Sequence, residues 1–286
     1  MKTMQYKRFT RSKAGNFVFF SLLALAGLFT LLPMIYMIVT SLKPLDELLI
    51  FPPRFFVQRP TFSNFAALPA LLSSMKIPLS RYVFNSVFVS VVVTVFQIII
   101  GSMAAFVLSK CRIRFGVVFF LIVQFSLLYN GQTLGIPQYI IFSEMKIINT
   151  YWVYILPALQ SSMSVFLFKQ YMDDSIPEEL LEAAKIDGAS LFHIYWRIIM
   201  PNIKPAWITV CLFGFQSIWS VQPAGTIFDE SLRTLPSILS QISAGGLARA
   251  GSSMAASVIL MLPPVLVYII SQSRVMETMS SAGMKD

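Results

Sequence analysis

Charge is what this sequence lacks most. Only 12% of its 286 residues are Asp, Glu, Lys or Arg, about half the share usual in a soluble domain. Acids are scarcer than bases, 13 against 22. The single histidine, His193, excludes a multi-histidine metal site and, lying in a loop, removes most routes to an intramembrane enzyme. In its place, flanked by Phe192 and Tyr195, it is expected to be a packed or interfacial residue. Cys111 and Cys211 stand a hundred residues apart without a CxxC or CxxH pairing, so neither a disulfide framework nor a zinc site is expected. There is no GxxxxGK[ST] loop to cradle nucleotide phosphates. No long apolar run carries a charged residue at its centre, which argues against a proton- or ion-coupled carrier.

Oil is what is present. The chain is 56% hydrophobic, with 25 Phe and 15 Met, and its mean hydropathy is +0.71. The net charge of +9 is spread in short clusters between apolar runs. That pattern orients a membrane protein and does not form a nucleic-acid patch, so no nucleic-acid partner is expected.

A helix needs about 20 apolar residues to cross the hydrocarbon core. Six stretches qualify or nearly so: about 16–42, 82–109, 115–142, 151–170, 206–221 and 254–271. Pro33 is expected to kink the first and Pro263-Pro264 the last. The first run follows a basic leader and is too long for a signal core, so it is expected to be a retained span. The fold class is therefore an all-α integral membrane protein of about six transmembrane helices, one transmembrane domain over 1–286. With the N-terminus inside, the larger share of Lys and Arg falls in cytoplasmic segments, beginning with Lys2, Lys7, Arg8, Arg11 and Lys13. The topology is N-in and C-in. It leaves a long, proline-rich outer segment at 43–81 and a long cytoplasmic loop at 171–204.

That loop contains EELLEAAKIDGAS, 178–190. Ser175 and Glu178 have capping-box spacing, and Pro177 suits a first helical turn. Gly188 sits where a helix would end left-handed. Ser190 can cap a second helix, LFHIYWRIIM, which Pro201 is expected to terminate. The small residues Ala183, Ala184, Gly188 and Ala189 remove bulk at one place and permit close approach by another surface. A plain helical hairpin joining two spans is the competing interpretation.

The order Glu182-Ala183-Ala184, three residues, Gly188, nine residues, Ile198, one residue, Met200-Pro201 resembles the EAA loop of ATP-binding cassette importer permeases. Met200 stands where that family usually has Leu, a volume-conserving exchange. The stretches SLKPLDELLIFPPRF, RYVFNSVFVS and GIPQYIIFSEMKIINTYWVYILP are similar to the carbohydrate-uptake branch, in particular to the subunit type of the second maltose permease protein. The resemblance covers nearly the whole chain.

It implies the type I importer permease fold in a bacterial cytoplasmic membrane. A second permease subunit would complete the pathway, two ATPase subunits would bind ATP, and an extracytoplasmic binding protein would deliver a carbohydrate. This chain would hold no cofactor and no catalytic residue. Glu182, Ala183, Ala184, Asp187, Gly188, Ile198 and Pro201 would form the ATPase-coupling site. A permease for a non-sugar solute such as a polyamine, phosphate or peptide is the alternative.

Polar residues inside the runs are candidates for the pathway: Asn85, Gln97, Gln124, Asn130, Gln160, Ser161, Gln216 and Trp219. A sugar needs amide and hydroxyl partners and a ring to stack on. The same residues equally serve helix packing and interhelical hydrogen bonds.

Overall fold

A computed structural model of the chain describes residues 13–73, 77–111, 113–128, 134–222 and 225–282, among which no strand occurs. The chain divides into two compact units, Met1–Leu68 with Ser243–Val258, and Pro69–Ile242 with Ile259–Asp286.

The first unit is built on α1 (Lys13–Ser41), which contains Pro33 without ending there. Its 29 residues reach about 43 Å at 1.5 Å per residue, more than the ~30 Å of hydrocarbon. The helix is apolar all round and its most apolar window is 0% buried, as expected of a surface bathed in lipid. A short turn, α2 (Leu45–Leu48), and α3 (Ser63–Ser73) follow.

The second unit is organised around α4 (Leu79–Lys110), 32 residues long. Around it come α5 (Gly116–Leu127), α6 (Gly135–Glu144), α7 (Trp152–Leu159), α8 (Ser162–Ser175) and α9 (Glu178–Ile186). Next are α10 (Leu191–His193), a π-helical turn at Ile194–Ile199, α11 (Met200–Asn202) and α12 (Lys204–Trp219). The chain continues in α13 (Leu235–Ser243) and α14 (Ala250–Ala282). Helix α4 packs against α5, α7, α8 and α12.

The six apolar stretches map onto these helices unequally. Stretches 16–42, 82–109 and 254–271 lie in α1, α4 and α14, and α14 runs on through Pro263 and Pro264. Stretch 115–142 comprises α5 and α6. Stretch 151–170 is broken between α7 and α8. Stretch 206–221 is α12, preceded by a 78° bend after Leu191–Asn202. Among the described residues three helices are long and apolar enough to cross a membrane, or four if that bent pair is one span.

Pro201 does not terminate its helix. The preceding π-turn lets the Met200 N–H donate to Tyr195 O, and helix resumes as Met200–Asn202. The Asn202 side-chain amide then donates to Ile198 O at 2.7 Å, where continued helix would use the Asn202 N–H. The bend falls at Ile203, just before Pro205 in the first turn of α12.

In lipid, helices associate through close packing rather than hydrophobic force. Glycines make that possible at two crossings of α4. A Cβ on Gly101 would stand 3.0 Å from the Ser164 Cβ on α8. A Cβ on Gly214, in α12, would stand 2.4 Å from Gln97 Oε1. That oxygen is the free end of a flexible side chain and can yield, whereas the Ser164 Cβ is fixed to the α8 backbone.

We expect Gly101→Val to destabilise the fold by about 1–3 kcal/mol, the usual cost of overpacking. Gly27→Val serves as the control, because open space surrounds Gly27 on α1. Thermal unfolding in detergent should show a lower midpoint for the first and little change for the second.

Candidate functional site

The structure presents a helical corner and a concave polar face, both within the second unit. The corner begins with a correction. Ser175 and Glu178 form no capping box: Ser175 ends α8, and Pro177 occupies the N-cap of α9 without a side-chain cap. Proline forces its predecessor to be extended, and Ile176 at φ −118°, ψ 105° carries Ser175 away from the new helix. The acids Glu178 and Glu179 do lie in the first turn, where they complement the helix dipole.

The end of α9 follows the expected chemistry. Gly188 adopts φ +77°. The Ala189 N–H donates to Ala184 O, and the Gly188 N–H to Lys185 O, both at 3.0 Å. This pair of bonds is a Schellman motif. Ser190 then accepts from the His193 N–H at 3.3 Å, capping the next helix. His193 itself is exposed.

The seven motif residues do not share one face. Ala184 is only 7% exposed and, with Leu181, packs into the core of this chain beside Phe106, Phe168, Met172 and Tyr195. Its small size fits α9 onto its own bundle. Ile198 also packs partly against that core. Glu182, Ala183, Asp187, Gly188 and Pro201 are exposed. Around them Ile186 is 85% and Phe192 71% exposed, a concentration of apolar surface on an otherwise charged corner.

The corner is fastened to α4. Lys110, at the helix end, donates to Ile176 O at 2.7 Å. Asp173 on α8 accepts from Ser109 and pairs with Lys169 at 2.6 Å. Deeper, the Ser102 and Tyr195 hydroxyls meet at 2.7 Å in a buried contact between α4 and the π-turn. The π-turn buries Ile194, Tyr195 and Ile199. A groove of about 630 Å³ lies between this end of α4 and α9, bordered by Lys110, Cys111, Glu182 and Lys185.

The concave face encloses about 940 Å³ and is lined from α4, α6, α7, α12 and the residues after α12. At its edge the helix breaks: Gln160 takes ψ 89° and Ser161 takes φ −117°, ψ 92°. Ser161 caps α8, its hydroxyl accepting from the Ser164 N–H at 3.2 Å. Irregular backbone at membrane depth is tolerated where it lines a cavity or is buried in protein, and here the broken turn borders the concavity.

The eight pathway candidates separate sharply. Gln160 and Ser161 line the face, with Gln160 exposed. Gln97 also borders it but is 6% exposed and donates to Ala158 O. Gln124 and Gln216 are half-buried and do not line it. Asn130 lies outside the described residues.

Asn85 and Trp219 are structural. The Asn85 amide donates to Ser231 O and Arg233 O at 2.8 Å each and accepts from the Tyr151 hydroxyl at 2.7 Å. Its hydrogen-bonding capacity is thus spent holding the 231–233 backbone to α4. Nearby, Asp229 accepts from the Ser231 N–H at 2.9 Å, and the Ser231 backbone and hydroxyl bonds hold its carboxyl below the ordinary range. Trp219 is 3% exposed, donates to Leu260 O at 3.0 Å and stacks on Phe215. No ring face is left for a ligand.

Sequence reasoning missed Gln138, Tyr139 and Gln222, which also line the face. The spacing Gly135, Gln138, Tyr139, Phe142 is one stripe of α6, a signal hidden by treating 115–142 as one span.

The comparisons with known proteins agree on what the chain resembles. Residues 6–280 match the family described as "Binding-protein-dependent transport system inner membrane component". The chain is 29% identical over 284 residues to the inner membrane ABC transporter permease protein YcjP of Escherichia coli, covering 96% of this chain and 98% of that one. It is 27% identical over 281 residues to the sulfoquinovosyl glycerol transport system permease protein SmoH of Agrobacterium fabrum, covering 97% and 95%. A chain of a bacterial ABC transporter that imports the acidic polysaccharide alginate shares the fold, with TM-score 0.74, 22% identity and coverage of 92% and 98%.

The corner yields a direct expectation. Gly188→Ala should cost about 1–2 kcal/mol, the strain of a left-handed L-residue, because open space rather than a clash surrounds the position. Gly188→Asn should cost less, since Asn visits this region more readily. Denaturant unfolding in detergent measures both.

Proposed function

The chain belongs to the family of binding-protein-dependent transport system inner membrane components, and on that premise we propose that it forms half the membrane pathway of an ATP-driven carbohydrate importer. It is a multi-pass transport subunit of the bacterial inner membrane. A second permease subunit completes the pathway, two separate ATPase subunits bind and hydrolyse ATP, and an extracytoplasmic binding protein delivers the sugar. The chain crosses the membrane about six times with both ends inside, and 171–204 is cytoplasmic. It binds no cofactor of its own.

The observation that carries the pathway is the break between α7 and α8 beside the 940 Å³ concavity. Gln138, Gln160, Ser161 and Gln222 supply amide and hydroxyl partners there, and Tyr139, 42% exposed, supplies a ring. These are the groups a carbohydrate requires: polar partners for its hydroxyls and an aromatic face for its C–H surface. A concavity open on one side suits a pathway shared with another subunit. The substrates named for the relatives, sulfoquinovosyl glycerol and alginate, favour a sugar derivative.

The corner at 178–190 supports the coupling role. Glu182, Ala183, Asp187 and Gly188 face outward, amid the exposed Ile186 and Phe192. Ala184 contributes from beneath by seating α9 on the bundle. Force on the outer face of α9 then passes through Ala184 and Leu181 into the core, and through Lys110 into α4.

Because Ala183 is exposed and Ala184 is not, substitutions there separate docking from folding. Ala183→Asp should lower sugar uptake about tenfold or more, the equivalent of 1.4 kcal/mol in affinity, with membrane insertion intact and less ATPase recovered in a pull-down. Unchanged recovery of the ATPase would refute the coupling role. Gln160→Ala should impair uptake while leaving ATPase recovery unaltered, a contrast that tests the pathway separately.

A further inference from the structure

The segment after α1 buries two of its charged residues and leaves most of its large apolar ones outside. Lys43 is 3% and Glu47 8% exposed, while Asp46, Arg54 and Arg59 stand at the surface. The Lys43 ammonium donates to Arg54 O and lies 5.6 Å from the Tyr36 ring centre. The Glu47 carboxylate accepts from the N–H groups of Gln58, at 3.2 Å, and Arg59, at 2.8 Å. Asn64 donates to Ser41 O and Lys43 O at 2.8 and 2.7 Å, tying the segment's end to the end of α1. The Thr61 N–H closes the same loop on Leu42 O at 2.8 Å.

The apolar side chains are turned outward. Phe51 is 93%, Phe56 74%, Phe62 74% and Leu49 60% exposed. A loop that buries Lys43 and Glu47 while presenting these phenylalanines outside is unfavourable in water, so this surface has an occupant.

Its neighbours identify that occupant. The Phe55 ring meets Tyr36 of α1 with centroids 5.7 Å apart. The apolar surface therefore continues from α1, whose Leu32, Ile35 and Ile38 are exposed, onto the loop. The segment starts within four residues of the end of a membrane-length helix, and so lies at the level where hydrocarbon gives way to headgroups. Arg54 stands exposed among the phenylalanines, suited to a lipid phosphate.

We propose that residues 45–62 are a membrane-interfacial anchor, with the headgroup–acyl boundary of the bilayer covering Leu49, Phe51 and Phe56. The segment lies in the interface plane and fixes the depth of the end of α1, as amphipathic surface segments do. This holds whichever side of the membrane that end occupies, and does not depend on the transported solute.

Spin labelling tests it. In a Cys111→Ser, Cys211→Ser background, nitroxides are attached at Phe51→Cys or Phe56→Cys. Leu25→Cys, within α1, provides the lipid-core reference. The full chain with its partner subunits is reconstituted in phosphatidylethanolamine–phosphatidylglycerol vesicles. Power saturation then compares access to oxygen, which partitions into lipid, with access to a water-soluble nickel chelate. The expected ratio at both positions lies between that of Leu25→Cys and that of a label free in water. A ratio equal to the free label would overturn the proposal, and so would exclusion of both reagents, which would mean that protein covers the surface. Both phenylalanines are exposed, so neither substitution disturbs the core.

Discussion

Helices in lipid gain nothing by hiding oil from oil, so close contact and satisfied polar groups must hold them together. In this chain that constraint falls on α4. Its contacts with α8 and α12 depend on absent side chains, at Gly101 against Ser164 and at Gly214 against Gln97. Gly101 lets two helices approach to a distance that a valine would prevent. The burial of Ser90, Thr94, Gln97 and Ser102 along α4 follows from that approach, because polar residues on a helix so closely wrapped face protein rather than hydrocarbon.

Fixing α4 also fixes its two ends. At one, Lys110 and Ser109 hold the backbone before α9 and the Asp173 carboxylate. At the other, the Asn85 side-chain nitrogen grips the 231–233 backbone with both of its hydrogens. Between them the α7–α8 break opens beside the concave face. A displacement imposed on the corner thus has a continuous packed route to the face, through Leu181 and Ala184 into the core cluster that includes Phe106 and Phe168. We propose that this route carries the coupling, since the corner's apolar exterior, Ile186 and Phe192, is largely exposed.

Some of this was legible in the sequence because it rests on local chemistry. A glycine after an acid-led helix announces a left-handed end, and Gly188 supplies it at φ +77°. Ser190 as a cap and the apolar runs of α1 and α4 are local in the same sense. What failed depended on partners distant in the chain. Nothing adjacent to Ala184 reveals that Phe168 and Tyr195 will cover it. Asn85 and Trp219 looked like solvent-seeking pathway groups until Ser231, Arg233 and Leu260 claimed their donors. The capping box failed for a local reason that was available: proline at 177 forces Ile176 to be extended and removes Ser175 from reach.

The central claim is that the outward face of α9, and not the inward one, receives a partner. Thiol-labelling rates in membranes test it most directly, with single cysteines replacing Ala183 or Ile186 and an exposed control at Met145. Cysteines at 183 and 186 are predicted to react rapidly when this chain is in the membrane without its ATPase and to be strongly protected when the ATPase is present, while the cysteine at 145 reacts equally in both. Equal labelling of 183 and 186 with and without the ATPase would contradict it.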